Sequence, residues 1–245
     1  GGVSYMIACT ICSGRDYKDD WSHPGKVYAC ALPDDLSAAG QAHPLAFETL
    51  SEGMLKNHGY LSCHKNGAPA ALVTCESGVY RYRRQRAGGA WEVEHLLEEP
   101  VSDVCLVDFD GDGVEEMVTI GPFHGDTLQI YKRDGGVYRK IYTHPKPLPF
   151  AHAIWGGLLC GRPAAVIGCR GGARELCCFT GSESDGFHCQ VIDSGTGAAN
   201  VLHDTVDGRE VLLAANREIG EVALYKIGEH TSELQSHTQI SYAVF

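Results

Sequence analysis

Self-similarity constrains this chain more than any local propensity does. Four stretches align: NHGYLSCHKNGAPAALVTCESGVYRYR from Asn57, SDVCLVDFDGDGVEEMVTIGPFHGDTLQIYK from Ser102, AHAIWGGLLCGRPAAVIGCRGGARELCCF from Ala151 and ANVLHDTVDGREVLLAANREIGEVALYK from Ala199. Their second positions, His58, Asp103, His152 and Asn200, fall 45, 49 and 48 residues apart. Each stretch carries an apolar run, a turn and a second apolar run: PAALVTC, EMVTIG, PAAVIGC or EVLLAA. A Gly-containing loop and a third strand follow, such as YRYR or VALYK, and three of the four continue into a fourth: WEVEHLL, VYRKIYTH and FHCQVID. Short strands set off by Gly, Asn-Gly and Asp-Gly turns, four to a repeat of this length, predict an all-β chain of propeller blades. The predicted blades are 1–50, 51–98, 99–146, 147–196 and 197–227, five in view, with the first and last partial. Residues 1–50 read as a blade without its first strand: YMIACTIC, KVYACAL and HPLAFETL. A β-sandwich would not produce the in-register repeat.

Composition narrows the functional classes. A formal charge of −11 argues against a role built on phosphate neutralisation, so no nucleic-acid partner is expected. No apolar run is long enough to span a bilayer as a helix, so no membrane partner is expected. The 11 cysteines include Cys105, Cys177 and Cys178 inside strand-like runs, where they read as buried free thiols. That pattern suits a reducing compartment and leads to an expectation of a cytoplasmic protein. Cys9 and Cys12 form a lone CxxC at a strand end, without the second ligand pair of a zinc site.

The last stretch, EHTSELQSHTQISYAVF (Glu229–Phe245), resembles the translation of a short-read sequencing adapter. Residues 228–245 are therefore expected to be a non-native or disordered tail, and the chain a fragment ending near Ile227. An unclosed propeller presents two sheet edges, so the fragment alone is expected to be marginal or to aggregate.

One turn differs from its equivalents. Asp108-Phe-Asp110-Gly-Asp112-Gly-Val114-Glu-Glu116 sets carboxylates at loop positions 1, 3, 5 and 9, with the Val114 carbonyl at position 7. Calcium takes six to eight oxygens, and alternate residues of a tight loop can aim them at one point. A helix–loop–helix hand is excluded, because its twelfth-position Glu would fall at Thr119 and the flanks, CLVDF and EMVTI, are strands. The expected cofactor is a structural Ca²⁺ on Asp108, Asp110, Asp112, Val114 and Glu116. The motif resembles the FG-GAP and VCBS-type repeat propellers, in which such a loop joins the first and second strands of a blade. That resemblance implies a stiffened blade rather than an activity. The equivalent turns HKNGAP, LCGRP and TVDGRE lack the acids.

The repeat also implies a polar face. Residues at one repeat position lie at one height around a propeller axis, which puts His58, Asp103, His152 and Asn200 ahead of the innermost strands. The loops between second and third strands open on the same side, with His124, Arg170 and Asn216-Arg217-Glu218. In the first blade DDWSHPGKVY occupies this place and adds His23. Two functional readings stay open beside a plain wet channel mouth. In one, Asn200, Arg170, Asn216, Arg217 and His23 help bind a small polar or carbohydrate ligand, or a partner. In the other, His58, Asp103, His152 and His124 hold a second metal or act as acid and base in a sugar lyase or isomerase. Relatives of the repeat class with such activities support this second reading by resemblance only. No nucleophile elbow, phosphate loop or dinucleotide fingerprint is present.

Overall fold

The computed structural model describes residues 3–40, 43–65, 67–84, 89–227 and 237–240. Apart from two 3-10 turns, Leu36–Ala38 and Arg217–Ile219, its regular elements are all strands. The chain divides into two compact units, Gly1–Ser102 and Asp103–Phe245.

The first unit holds a three-stranded sheet of β1 (Tyr5–Cys9), β2 (Gly25–Ala31) and β3 (Phe47–Met54). A four-stranded sheet follows, of β4 (Tyr60–Lys65), β5 (Ala68–Cys75), β6 (Gly78–Arg84) and β7 (Trp91–Leu97). Val27 and Met54 of one sheet pack with Val73, Cys75 and Tyr82 of the other.

The second unit holds three four-stranded sheets. They are β8 (Asp103–Val107), β9 (Glu116–Gly121), β10 (Thr127–Asp134) and β11 (Val137–Thr143); then β12 (Ala151–Leu159), β13 (Arg162–Cys169), β14 (Leu176–Ser182) and β15 (Gly186–Asp193). The third has β16 (Ala198–Val206), β17 (Arg209–Asn216), β18 (Glu221–Lys226) and β19 (His237–Ile240). In all five sheets each strand pairs antiparallel with the next in sequence, the meander of a propeller blade. The sequence reading set aside 228–245, but within that stretch β19 pairs with β18, Val222 opposite Ile240. The rest of the stretch lies outside the described residues.

The second strand β13 is a continuous apolar run because both its faces are covered. In β13, Ala165, Ile167 and Cys169 enter one core with Val118, Ile120, Leu128 and Ile130 of the preceding sheet. The intervening Ala164 and Val166 enter another, with Ala198, Leu212 and Ala214 of the following sheet. In β14 Cys177 and Phe179 belong to the first core and Leu176 to the second. The outermost strands β11 and β15 are mostly solvent-facing, which is why their sequences are polar. All 11 cysteines are free thiols, six of them at least partly exposed and five buried.

Candidate functional site

The loops at one end of the second unit build a stacked cluster. Backbone hydrogen bonds tie them together: Ala151 N–H to Gly125 O at 3.0 Å, Leu148 N–H to Asp126 O at 2.7 Å and Arg170 N–H to Phe150 O at 2.9 Å. On this frame the His124 ring stacks against Phe123, centroids 3.8 Å apart, and lies 4.5 Å from Phe150. The His152 ring stands 5.7 Å from that of His124, 27° from parallel. The Arg170 guanidinium lies over the Phe150 ring, 4.5 Å from its centroid. It is held there by Glu218, whose Oε1 accepts from Nη2 at 2.7 Å and Nε at 2.9 Å. Both His124 and Phe150 sit at φ 53°, in the left-handed region that side chains disfavour. Such conformations persist only where surrounding contacts over-determine them, and they concentrate at ligand clamps.

His152 has a fixed tautomer. Its Nδ1 lies 3.0 Å from the Ala199 carbonyl, which can only accept, so Nδ1–H donates and, in the neutral ring, Nε2 carries the lone pair. Register explains its placement. Ala151 faces Cys169 and Ala153 faces Gly168, so His152 is the extra residue of a bulge, a device that re-aims a side chain. In the next sheet Ala198 faces Asn216 and Asn200 faces Ala215, which makes Ala199 the bulged residue. The position matching His152 is therefore Ala199, and Asn200 is one residue out of phase, exposed at the surface. The first unit repeats the bond: His58 Nδ1 donates to the Ser102 carbonyl at 3.2 Å, and Thr74 Oγ1 donates to the same oxygen at 2.7 Å. Burial lowers the His58 pKa, and the Ser102 carbonyl partly opposes that.

Asp103 opens β8, paired with Ile120. Burial pushes its carboxyl up to about 7, although Val104 N–H donates to Oδ1 at 2.9 Å and solvent still reaches part of the residue.

The other sequence candidates take different roles. Asn216 is fully buried, its amide Nδ2 donating to Tyr225 Oη at 3.4 Å, and Tyr225 in turn donates to Asp193 at 2.7 Å. Arg217 is exposed on the 3-10 turn beyond β17. Arg170 is half-buried and engaged by Glu218 and Phe150, so it serves the cluster as a strut. His23, in the first unit, bonds Asp16 at 3.3 Å and the buried Asp20 at 3.2 Å. Ser22 holds the Asp20 carboxyl down at about 2. Phe123 and Phe150 were absent from the sequence candidates, although each directly precedes or nearly precedes a named histidine.

The acidic loop joins β8 to β9, and four of its five carboxylates share one pattern. Each gives one oxygen to loop backbone: Asp108 Oδ2 takes Gly113 N–H at 3.0 Å and Asp110 Oδ1 takes Asp112 N–H at 3.3 Å. Asp112 Oδ1 takes Val114 N–H at 2.7 Å, and Glu116 Oε2 takes Phe109 N–H at 2.8 Å. Gly111 at φ 73° and Gly113 at φ 84° supply the turn. Ligand atoms of Asp108, Asp110 and Glu116 lie within 4.8 Å of one another. Lys132, from β10, reaches the same place; its ammonium bonds Asp110 Oδ2 and Asp112 Oδ2, the latter at 2.7 Å, and stands 3.4 Å from Glu116 Oε1. The sequence reading did not include Lys132, whose approach depends on the β9–β10 pairing.

No family model matches the chain, and no curated protein matches it. Among solved structures it is similar to a protein from Lactobacillus plantarum, with TM-score 0.58 at 12% identity, covering 98% of this chain and 66% of that one. It is also similar to a candidate 6-phosphogluconolactonase from Bacteroides fragilis, with TM-score 0.56 at 15% identity over 88% of this chain and 63% of the other. Sqt1 from Chaetomium thermophilum follows, with TM-score 0.50 at 12% identity over 89% of this chain and 53% of its own. The chain thus spans between about half and two thirds of the length of these proteins. Among the described residues no helix is long and apolar enough to cross a membrane. At such identities likeness speaks for the fold alone, and that fold is a propeller-like all-β architecture of small antiparallel blades.

Proposed function

We propose that this chain is a binding module whose ligand face is the His124–His152 cluster, and that it takes a small polar ligand of the carbohydrate class. The observation that carries this reading is the pair of near-parallel imidazoles, 5.7 Å apart, beside Phe123 and Phe150. Aromatic faces accept the C–H side of a sugar ring, and imidazole nitrogens accept or donate to its hydroxyls. The strained backbone at His124 and Phe150 agrees with a pre-organised clamp. In the same proposal the acidic loop takes a structural calcium, on Asp108, Asp110, Asp112, the Val114 carbonyl and Glu116, as in the FG-GAP and VCBS-type repeats it resembles.

A second reading has its own support. A histidine that gives its Nδ1–H to a backbone carbonyl, as His152 does to Ala199, is arranged like most metal-ligating histidines. Asp103, with a carboxyl near 7, has the proton affinity of a general base at neutral pH. Together they favour a divalent metal at the imidazoles and lyase or isomerase chemistry on a sugar.

Calorimetric titration of the chain with a panel of monosaccharides and disaccharides, and separately with Zn²⁺ and Mn²⁺, tests both. His152→Ala and His124→Ala should each weaken sugar binding at least about tenfold, equivalent to 1.4 kcal/mol. Binding of metal without sugar, lost in His152→Ala, would move the assignment to the second reading. If neither class of ligand bound, the proposal for this face would fail.

A further inference from the structure

The acidic loop already contains a cation. Of its eight carboxylate oxygens on Asp108, Asp110, Asp112 and Glu116, four are taken by loop N–H groups, one from each residue. The Lys132 ammonium bonds two of the other four, Asp110 Oδ2 and Asp112 Oδ2. Glu116, only 1% exposed, turns Oε1 toward the same point, with no hydrogen-bond donor on that atom and the ammonium 3.4 Å off. Asp108 Oδ1 is buried and also lacks a donor. An ammonium has three donors and one charge. It cannot satisfy all four of these remaining carboxylate oxygens, whereas calcium takes six to eight oxygens and carries two charges.

We propose that Lys132 is an internal counter-cation that holds this loop closed without metal and must swing out before Ca²⁺ can take the same oxygens. The inference rests on the calcium reading of the loop and adds a regulatory element to it. Lys132 lies next to Tyr131, which pairs with Met117, so the lysine stem starts beside the loop's exit. The stem is flexible and its side chain is 20% exposed, so withdrawal needs no rearrangement of the sheet. Calcium occupancy is then a competition, and the loop responds only to concentrations high enough to displace its own lysine.

The test is calcium titration by calorimetry, with thermal unfolding in chelator and in excess Ca²⁺, on the wild-type chain, Lys132→Met and Lys132→Arg. Lys132→Met should bind Ca²⁺ at least tenfold more tightly than wild type. It should also melt lower than wild type in chelator and recover when calcium is added. Lys132→Arg, which keeps the charge, should bind as weakly as wild type and serves as the folding control. Adding Asp110→Asn to Lys132→Met should abolish the gain. Equal calcium affinity in wild type and Lys132→Met would overturn the counter-cation role while leaving the calcium site standing. Absence of binding in all three chains, with no rescue of Lys132→Met by calcium, would overturn the calcium reading and the displacement with it.

Discussion

Phe179→Ala should destabilise the second unit by about 3–5 kcal/mol, the range for removing a buried aromatic ring from a core that relaxes only partly. Phe179 is fully buried on β14, opposite Ala165 and Cys189 in register. Its ring belongs to the core formed by two blades, with Ile130, Leu128 and Ile167, and meets the His144 ring edge-on at 5.0 Å. Collapse into the vacated space would require two sheets to approach each other. Their spacing, however, is also held by the backbone bonds of the 125–126 and 148–151 segments. Phe179→Leu refills most of the volume and should cost less than half as much. Equilibrium denaturant unfolding measures both. A loss below about 1 kcal/mol for the alanine variant, with an unchanged denaturant slope, would show that the inter-blade core is not where stability resides.

Asp103→Asn should remove a pH dependence and leave the protein more stable above neutrality. The carboxyl is raised by burial from an ordinary 3.8 to about 7 in the folded chain. Its protonated form is therefore favoured by folding. The stabilisation is complete below about pH 4, declines as pH rises and is gone once pH passes 7. A shift of about three units corresponds to about 4 kcal/mol as an upper figure, reduced because solvent reaches part of the residue. Asn keeps the oxygen that accepts Val104 N–H and carries no charge to desolvate. Wild type and variant should thus have equal stability near pH 4, and the variant should lead by a few kcal/mol at pH 8. His58 titrates the other way, since burial disfavours its charged form as pH falls. Comparing variant with wild type at each pH cancels that contribution. Parallel stability curves from pH 4 to pH 8 would mean that Asp103 titrates normally.

The blades were legible in the sequence because two independent signals agreed. The 45-, 49- and 48-residue spacing set the repeat, and PAAVIGC is apolar without alternation because its strand is covered on both faces. The face was harder to read. The two strands carry their bulges at equivalent places, His152 and Ala199, but alignment by sequence matched His152 to Asn200, one residue further on. A one-residue slip is invisible to a repeat count and decides which way a side chain points. Asn216 looked like a loop ligand because it ends a strand beside Arg217, but it belongs to the buried Tyr225–Asp193 network. The acidic loop was readable from its own spacing. Lys132 was not, because it comes from another strand, and no local pattern announces a cation arriving from sixteen residues beyond Glu116.

The division of β13 between two cores has a consequence for how such a chain can change over time. Successive residues of that strand are read by different neighbours, Ala165 and Ile167 by one sheet, Ala164 and Val166 by the other. The strand carries two interleaved messages in a single stretch of sequence. Point substitutions touch one message and leave the other intact. Insertion or deletion of one residue exchanges the two, presenting every side chain to the wrong recipient at once. Length variation among chains of this design should therefore collect in the turns and in solvent-facing strands such as β11 and β15, while second strands drift in composition but keep their length.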